Sequence, residues 1–172
     1  TSYSERFRAY LEQMYAEDLT LGVAMTDGKG DRSRRPGQQA NPDAYVRIVE
    51  RRKDGIVISG VKAIITGAPY MHELLVMPCR HMGREDADFA VCCAVPIDAP
   101  GLTIVARPAG RPGDKVEHGE ALFSRKYGQS TGVCIFDRVF VPWDRVFYAG
   151  EWEHSSHLTY SYATHHRHTC IG

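Results

Sequence analysis

The chain has 172 residues, enough for one domain or for one domain with pieces of its neighbours. Its 21 basic side chains balance 21 acidic ones, so no net field draws it to nucleic acid or to an anionic membrane. A 43% hydrophobic share suffices for a packed core, and no apolar stretch approaches the ~20 residues that a membrane-spanning helix needs. No signal sequence leads the chain, which reads as cytosolic. Five cysteines, an odd number with Cys92 and Cys93 adjacent, do not form a secreted disulfide framework. They read as small buried hydrophobes in a reducing compartment.

Residues 4–19 carry Phe7, Tyr10, Leu11, Met14 and Tyr15 at helical spacing, which predicts an amphipathic helix with Ser4 as its N-cap. The short apolar stretch 22–26 follows. Then comes a long polar stretch, "DGKGDRSRRPGQQANPD" (27–43), whose length marks it as either functional or disordered. From Ala44 the pattern predicts serial strands over 44–51, 56–60, 62–66, 73–78, 89–96, 102–107, 132–142 and 145–150. Lys53-Asp54-Gly55 reads as the hairpin turn between the first two. Pro96, Pro100 and Pro142 fall at strand ends or turns, where a missing N–H is tolerated. Residues 151–172 lose the alternation and read as the start of a second helix. With no crossover helices between strands, the expected fold is mainly β, a predominantly antiparallel barrel or sandwich.

Three stretches could carry chemistry. In "MTDGKGDRS" (25–33) the glycines let backbone amides approach a ligand, while Thr26, Asp31, Arg32 and Ser33 add hydrogen-bonding groups. Arg32, Arg34 and Arg35 could fork onto a phosphate. The alternative is a solvated surface loop. A strand ending in Ile65-Thr66-Gly67 can present N–H groups and one hydroxyl to a flat heteroaromatic ligand, or it is only a strand running into a Gly-Ala-Pro turn. Near the C-terminus His166 and Cys170 stand four apart, on one face of a helix, as a zinc or iron–sulfur site would require. A solvated His-rich helix end is the alternative there.

Taken in order, "AMTDGKGDRS", "GVKAIITGA" (60–68) and "IFDRVFVPWDRVF" (135–147) resemble the motifs of the middle domain of the acyl-CoA dehydrogenase superfamily. With "TGAPYMHELLVMP", "DFAVCCAVPIDAPG" and "YATHHRHTCIG", the likeness is to the branch holding 4-hydroxyphenylacetate 3-monooxygenase and 4-hydroxybutyryl-CoA dehydratase. That resemblance implies an antiparallel β-barrel over 21–150 that binds FAD. Residues 1–20 would close an N-terminal helical domain and 151–172 would open a C-terminal bundle, so that the chain is a fragment, inactive by itself. It implies flavin contacts from Met25, Thr26, Asp31, Arg32, Ser33, Ile65, Thr66 and Gly67. Thr66 is the candidate catalytic residue, and His166 would be one ligand of a [4Fe-4S] cluster. Dehydratase-like chemistry on a CoA ester is implied first. Hydroxylation of a phenol with a partner flavin reductase is the alternative, and a homotetramer is the implied assembly. Thr131 stands where the dehydratases carry a catalytic glutamate, and Val23 stands where the hydroxylases carry a substrate-binding histidine. From another class, a non-catalytic metal-binding β-domain would rest on the C-terminal histidines alone.

Overall fold

The computed structural model describes residues 2–28, 30–109 and 128–171. Helix α1 (Tyr3–Ala16) is followed by β1 (Leu21–Ala24), β2 (Arg47–Arg51), β3 (Gly55–Thr66), β4 (Glu73–Val76), β5 (Val91–Pro96), β6 (Leu102–Arg107), β7 (Thr131–Pro142) and β8 (Val146–Ala149). Helix α2 (Ser155–Ile171) comes last.

Helix α1 is capped by Ser2, not Ser4. Ser2 Oγ accepts from the Glu5 N–H at 3.3 Å and Glu5 returns a carboxylate to the Ser2 N–H at 2.7 Å. The reason is the Ser-x-x-Glu spacing of a capping box, which Ser4 cannot form. Tyr10 is buried and Phe7 meets Phe147 of β8 edge-on, with ring centroids 5.0 Å apart. Tyr15 falls outside the packed stripe and is 78% exposed.

Among the described residues the strands form two four-stranded sheets, ordered β1-β4-β5-β8 and β2-β3-β7-β6, and these do not close into a barrel. The barrel expectation is corrected to a sandwich. The β2-β3-β7-β6 sheet is antiparallel throughout, and the β2–β3 hairpin closes with Arg52 N–H on the Gly55 carbonyl at 2.8 Å. In the other sheet β4–β5 and β5–β8 are antiparallel but β1 and β4 run parallel. A parallel pair needs a crossover, and here the β2–β3 excursion through the opposite sheet supplies it in place of a helix. The segments expected at 56–60 and 62–66 are one continuous strand, and β1 completes the eight.

The main core lies between the sheets. Ile48, Ile56, Ile58, Ile65, Phe136, Val139 and Val141 meet Leu74, Val76, Val91, Val95 and Val146. A second cluster covers the outer face of the β1-containing sheet with Tyr10 of α1, Met77, Met82, Cys92, Phe147 and Tyr148, and Leu158 and Tyr162 of α2 pack at its edge. Cys92, Cys93 and Cys134 are buried, as expected, whereas Cys79 is only partly buried and Cys170, near the end of α2, is exposed, which corrects the expectation for those two. Burial pushes the Cys92 thiol up to about 12. The opposite sheet leaves Ile64, Val105 and Ile135 exposed. No described helix is long and apolar enough to cross a membrane.

Candidate functional site

The end of β3 is irregular in a way that aims its side chains. Lys62 pairs with Cys134 and Ile65 with Gly132, so Ala63 and Ile64 both stand opposite Val133. This is a bulge, and Ile64 takes φ 57° in it, a left-handed conformation that a β-branched residue disfavours and a glycine would accept. The extra residue keeps Lys62 and Ile65 both inward, while Thr66 is exposed opposite Thr131. Gly67, at φ 70°, turns the chain away and donates its N–H to the Ser130 carbonyl at 2.8 Å. Thr131 Oγ1 accepts from Arg107 Nε at 3.2 Å, so three strand ends share this corner.

Beside it lies the segment leaving β1. The Ala63 N–H donates to the Thr26 carbonyl at 2.9 Å and the Gly28 N–H to the Val61 carbonyl at 3.3 Å, on either side of an isolated bridge between Asp27 and Lys62. Lys62 is 2% exposed and its Nζ is held by three acceptors. These are the Met25 carbonyl at 2.9 Å, the Met77 carbonyl at 2.9 Å and the Asp27 carboxylate in a close ion pair. The other Asp27 oxygen accepts from Cys79 Sγ at 3.2 Å. Met25, Thr26, Ile65, Thr66 and Gly67 are thereby brought to one place from two distant stretches of chain.

Asp31, Arg32 and Ser33 are exposed on the loop beyond. The Asp31 carboxylate is engaged locally, accepting from the Ser33 N–H at 2.9 Å and Ser33 Oγ at 2.6 Å. These bonds hold its pKa below the usual carboxylate value. Gln39 braces the loop by accepting the Asp31 N–H and donating back to the Asp31 carbonyl. Asp86 anchors the loop's far end by accepting from the Gly37 and Gly83 N–H groups. Arg80 ties the loop to the sandwich, donating to Tyr45 Oη at 2.9 Å and to the Arg32 carbonyl at 3.4 Å. Lys29, within the same motif, lies outside the described residues.

The His72-Glu73 pair serves structure. His72 Nδ1 accepts from the Thr20 N–H at 2.9 Å, which places the proton of the neutral ring on Nε2. Glu73 takes both bonds from Arg145 Nη1, at 2.6 and 2.7 Å, and a third from Tyr10 Oη at 2.7 Å. On α2, Cys170 Sγ is 3.7 Å from His166 Nε2, the one-face placement that the spacing predicts. Tyr162 stacks on the His166 ring one turn earlier. Among the described residues no group of three or more His, Cys, Asp or Glu side chains converges as a metal would require.

Sequence reasoning gave no role to Asp27, Lys62, Cys79 or Arg80. The available signal was a lysine within a run of Val, Ala and Ile, a position that only a partnered charge can occupy. Cys79 and Arg80 carry no local signal, because their partners lie 52 and 48 residues away. Burial and then the Asp27 carboxylate push the Cys79 thiol above its ordinary value. Its alkylation by iodoacetamide in the native protein is expected to lag a free thiol at pH 8 and to rise only at higher pH. Mass spectrometry of the 77–84 peptide reads this, and free-thiol reactivity at pH 8 would contradict the Asp27 contact.

Residues 1–148 match the family model described as 4-hydroxyphenylacetate 3-hydroxylase N terminal. The chain is 38% identical to 4-hydroxybutyryl-CoA dehydratase/vinylacetyl-CoA-Delta-isomerase of Clostridium aminobutyricum, over 97% of this chain and 34% of that protein. It is 30% identical to the 4-hydroxyphenylacetate 3-monooxygenase oxygenase component of Geobacillus sp. (strain PA-9), over 86% of this chain and 30% of that protein. Among solved structures, an archaeal 4-hydroxybutyryl-CoA dehydratase from N. maritimus superposes with a TM-score of 0.81 and 38% identity, covering 91% of this chain and 31% of that one. The oxygenase component of 4-hydroxyphenylacetate 3-monooxygenase, complexed with FAD, superposes with 0.76 and 32%, covering 94% of this chain and 32% of that one. The chain spans about a third of the length of the curated relatives that it matches. These relatives are enzymes. By sequence and by fold, the chain belongs to the 4-hydroxyphenylacetate 3-hydroxylase family.

Proposed function

We propose that residues 21–150 are the flavin-facing part of an FAD-dependent dehydratase/isomerase acting on a CoA ester. The observation that carries this reading is the docking of the Met25–Gly28 segment against the Lys62–Gly67 strand end. It leaves Thr66 and Thr26 exposed at the same strand end, with a hydroxyl and the Thr26 N–H as donors, a set suited to the electron-accepting ring of a flavin. In this reading the main chain of Met25, Thr26 and Ile65 borders the isoalloxazine, and Gly67, its own N–H and carbonyl taken by Ser130 and Tyr70, turns the chain beside it. Thr66 offers its hydroxyl near the reacting edge, and Asp31, Arg32 and Ser33 order the loop over more distant parts of cofactor or substrate. His166 would be this chain's ligand to a [4Fe-4S] cluster, with Cys170 on the same helix face. Bound FAD and cluster would supply electron-transfer and Lewis-acid chemistry at the substrate.

A second reading is favoured by Thr131, which cannot act as a carboxylate base at the position facing Thr66. In that reading the full-length protein is the oxygenase of a two-component phenol hydroxylase, supplied with reduced FAD by a partner reductase. Anaerobic purification of the full-length protein separates the two. Brown protein with about four irons per chain is expected for the first. Colourless protein that takes up reduced FAD and hydroxylates a phenol overturns it. Sedimentation of the same sample tests the homotetramer.

A further inference from the structure

Lys62 sits beneath the proposed flavin corner without reaching its surface. Its three acceptors come from two separate segments: Met25 and Asp27 beyond β1, and Met77 beyond β4. A peptide unit is planar and trans, so its C=O and N–H point in opposite directions. Lys62 Nζ draws the Met25 carbonyl inward, and the N–H of the same peptide unit, that of Thr26, is therefore turned outward. The next peptide unit is fixed as well, because the Thr26 carbonyl accepts from Ala63 N–H. Thr26 is exposed, and among the described residues nothing accepts from its N–H.

We propose that Lys62 is a positioning residue: by holding the Met25 carbonyl it aims the Thr26 N–H at an acceptor on the flavin ring, and Asp27 and Cys79 hold Lys62 in place. This deepens the flavin reading and rests on it. A buried ammonium with three donors and three fixed acceptors is a rigid device. The Asp27 carboxylate balances its charge locally, and Cys79 Sγ occupies the second carboxylate oxygen, which restricts rotation of Asp27. A merely structural ion pair would need no link to the Met25 carbonyl. Here one of the three bonds is spent on the peptide unit whose other end faces solvent.

The test uses the full-length protein and the variant Lys62→Met/Asp27→Leu. Removing both charges together avoids leaving either one buried alone. The variant should keep its unfolding midpoint within a few degrees of the parent. It should bind FAD, oxidised or dithionite-reduced, at least tenfold more weakly, and the visible band of whatever FAD it binds should be shifted. Hydrogen exchange of the 22–28 peptide, measured without flavin, should speed up. Parental FAD affinity and spectrum in the folded variant overturn the proposal, as does parental exchange of 22–28. Should the double variant not fold, Cys79→Ala removes only the thiol donor to Asp27. A two- to fivefold loss of FAD affinity with faster 22–28 exchange is then expected, and no change in both overturns the proposal. A parent protein that takes up no FAD sinks the flavin reading instead, and the flavin-free exchange comparison still judges the clamp alone.

Discussion

Replacing Glu73 by glutamine is expected to lower the unfolding free energy by about 3–5 kcal/mol, the usual cost of removing one partner from a buried ion pair. Glu73 and Arg145 side chains are 7% and 19% exposed, and their bonds join the start of β4 to the turn that leads into β8. Tyr10 adds a third bond from α1, so one carboxylate fastens the N-terminal helix to the sandwich. The glutamine variant leaves the Arg145 guanidinium facing a neutral amide in a site with little access to water. Glu73→Gln/Arg145→Met is expected to recover most of the loss, because no charge is then stranded. Urea denaturation of the full-length protein and both variants reads this. A single variant within ~1 kcal/mol of the parent would mean that the pair is well solvated. A pH dependence accompanies the network. Burial, and then the bond to Glu73, hold the Tyr10 hydroxyl well above its ordinary value. The folded chain therefore keeps that proton more tightly than the unfolded one does. The stability this contributes is fully present below about pH 10 and is lost as pH rises beyond it.

The second large effect is expected at Gly60. It lies at the other irregularity of β3, where the register with β7 shifts between Ile58 and Gly60, and it takes φ 133°. A Cβ there would overlap the Tyr45 carbonyl and crowd the Val46 backbone, neither of which can move like a flexible side chain. Gly60→Ala is expected to cost about 1–3 kcal/mol for the backbone conformation alone. Forcing the two backbones apart adds a further ~1–3 kcal/mol. Because Tyr45 Oη receives Arg80, which also holds the Arg32 carbonyl, the damage should spread to the 31–39 loop. Thermal unfolding and hydrogen exchange over that loop measure both parts. An alanine variant with the parent's midpoint would refute the close approach.

Most strands were legible because their signal is local. "LTIVAR" alternates between turns and is β6 over 102–107, and "VFVP" ends at Pro142 as a missing N–H requires. What local pattern could not show was closure. Whether eight strands curl into one barrel or split into two sheets depends on which edge strands meet, and β1 chose β4 in parallel. The helix cap was legible as Ser-x-x-Glu but was placed on the wrong serine. At the site, the glycines and the Thr66-Gly67 pair marked the right stretches. The charges that join them were invisible, because Asp27 finds Lys62 across 35 residues and Glu73 finds Arg145 across 72. Spacing along a chain carries no record of such meetings.

The bulge at Ala63 and Ile64 has a consequence for how this strand can change length. A β-strand normally cannot lose one residue without turning every later side chain to the opposite face. Here two outward residues stand where one would do, so a homologue lacking Ile64 would still keep Lys62 inside and Thr66 outside. A single deletion anywhere between Ile56 and Ser59 has no such spare and would invert the strand on one side of the gap. Insertions and deletions in this part of the chain should therefore collect at positions 63–64, where lineages can trade strand twist for strand length without losing the phase of the site.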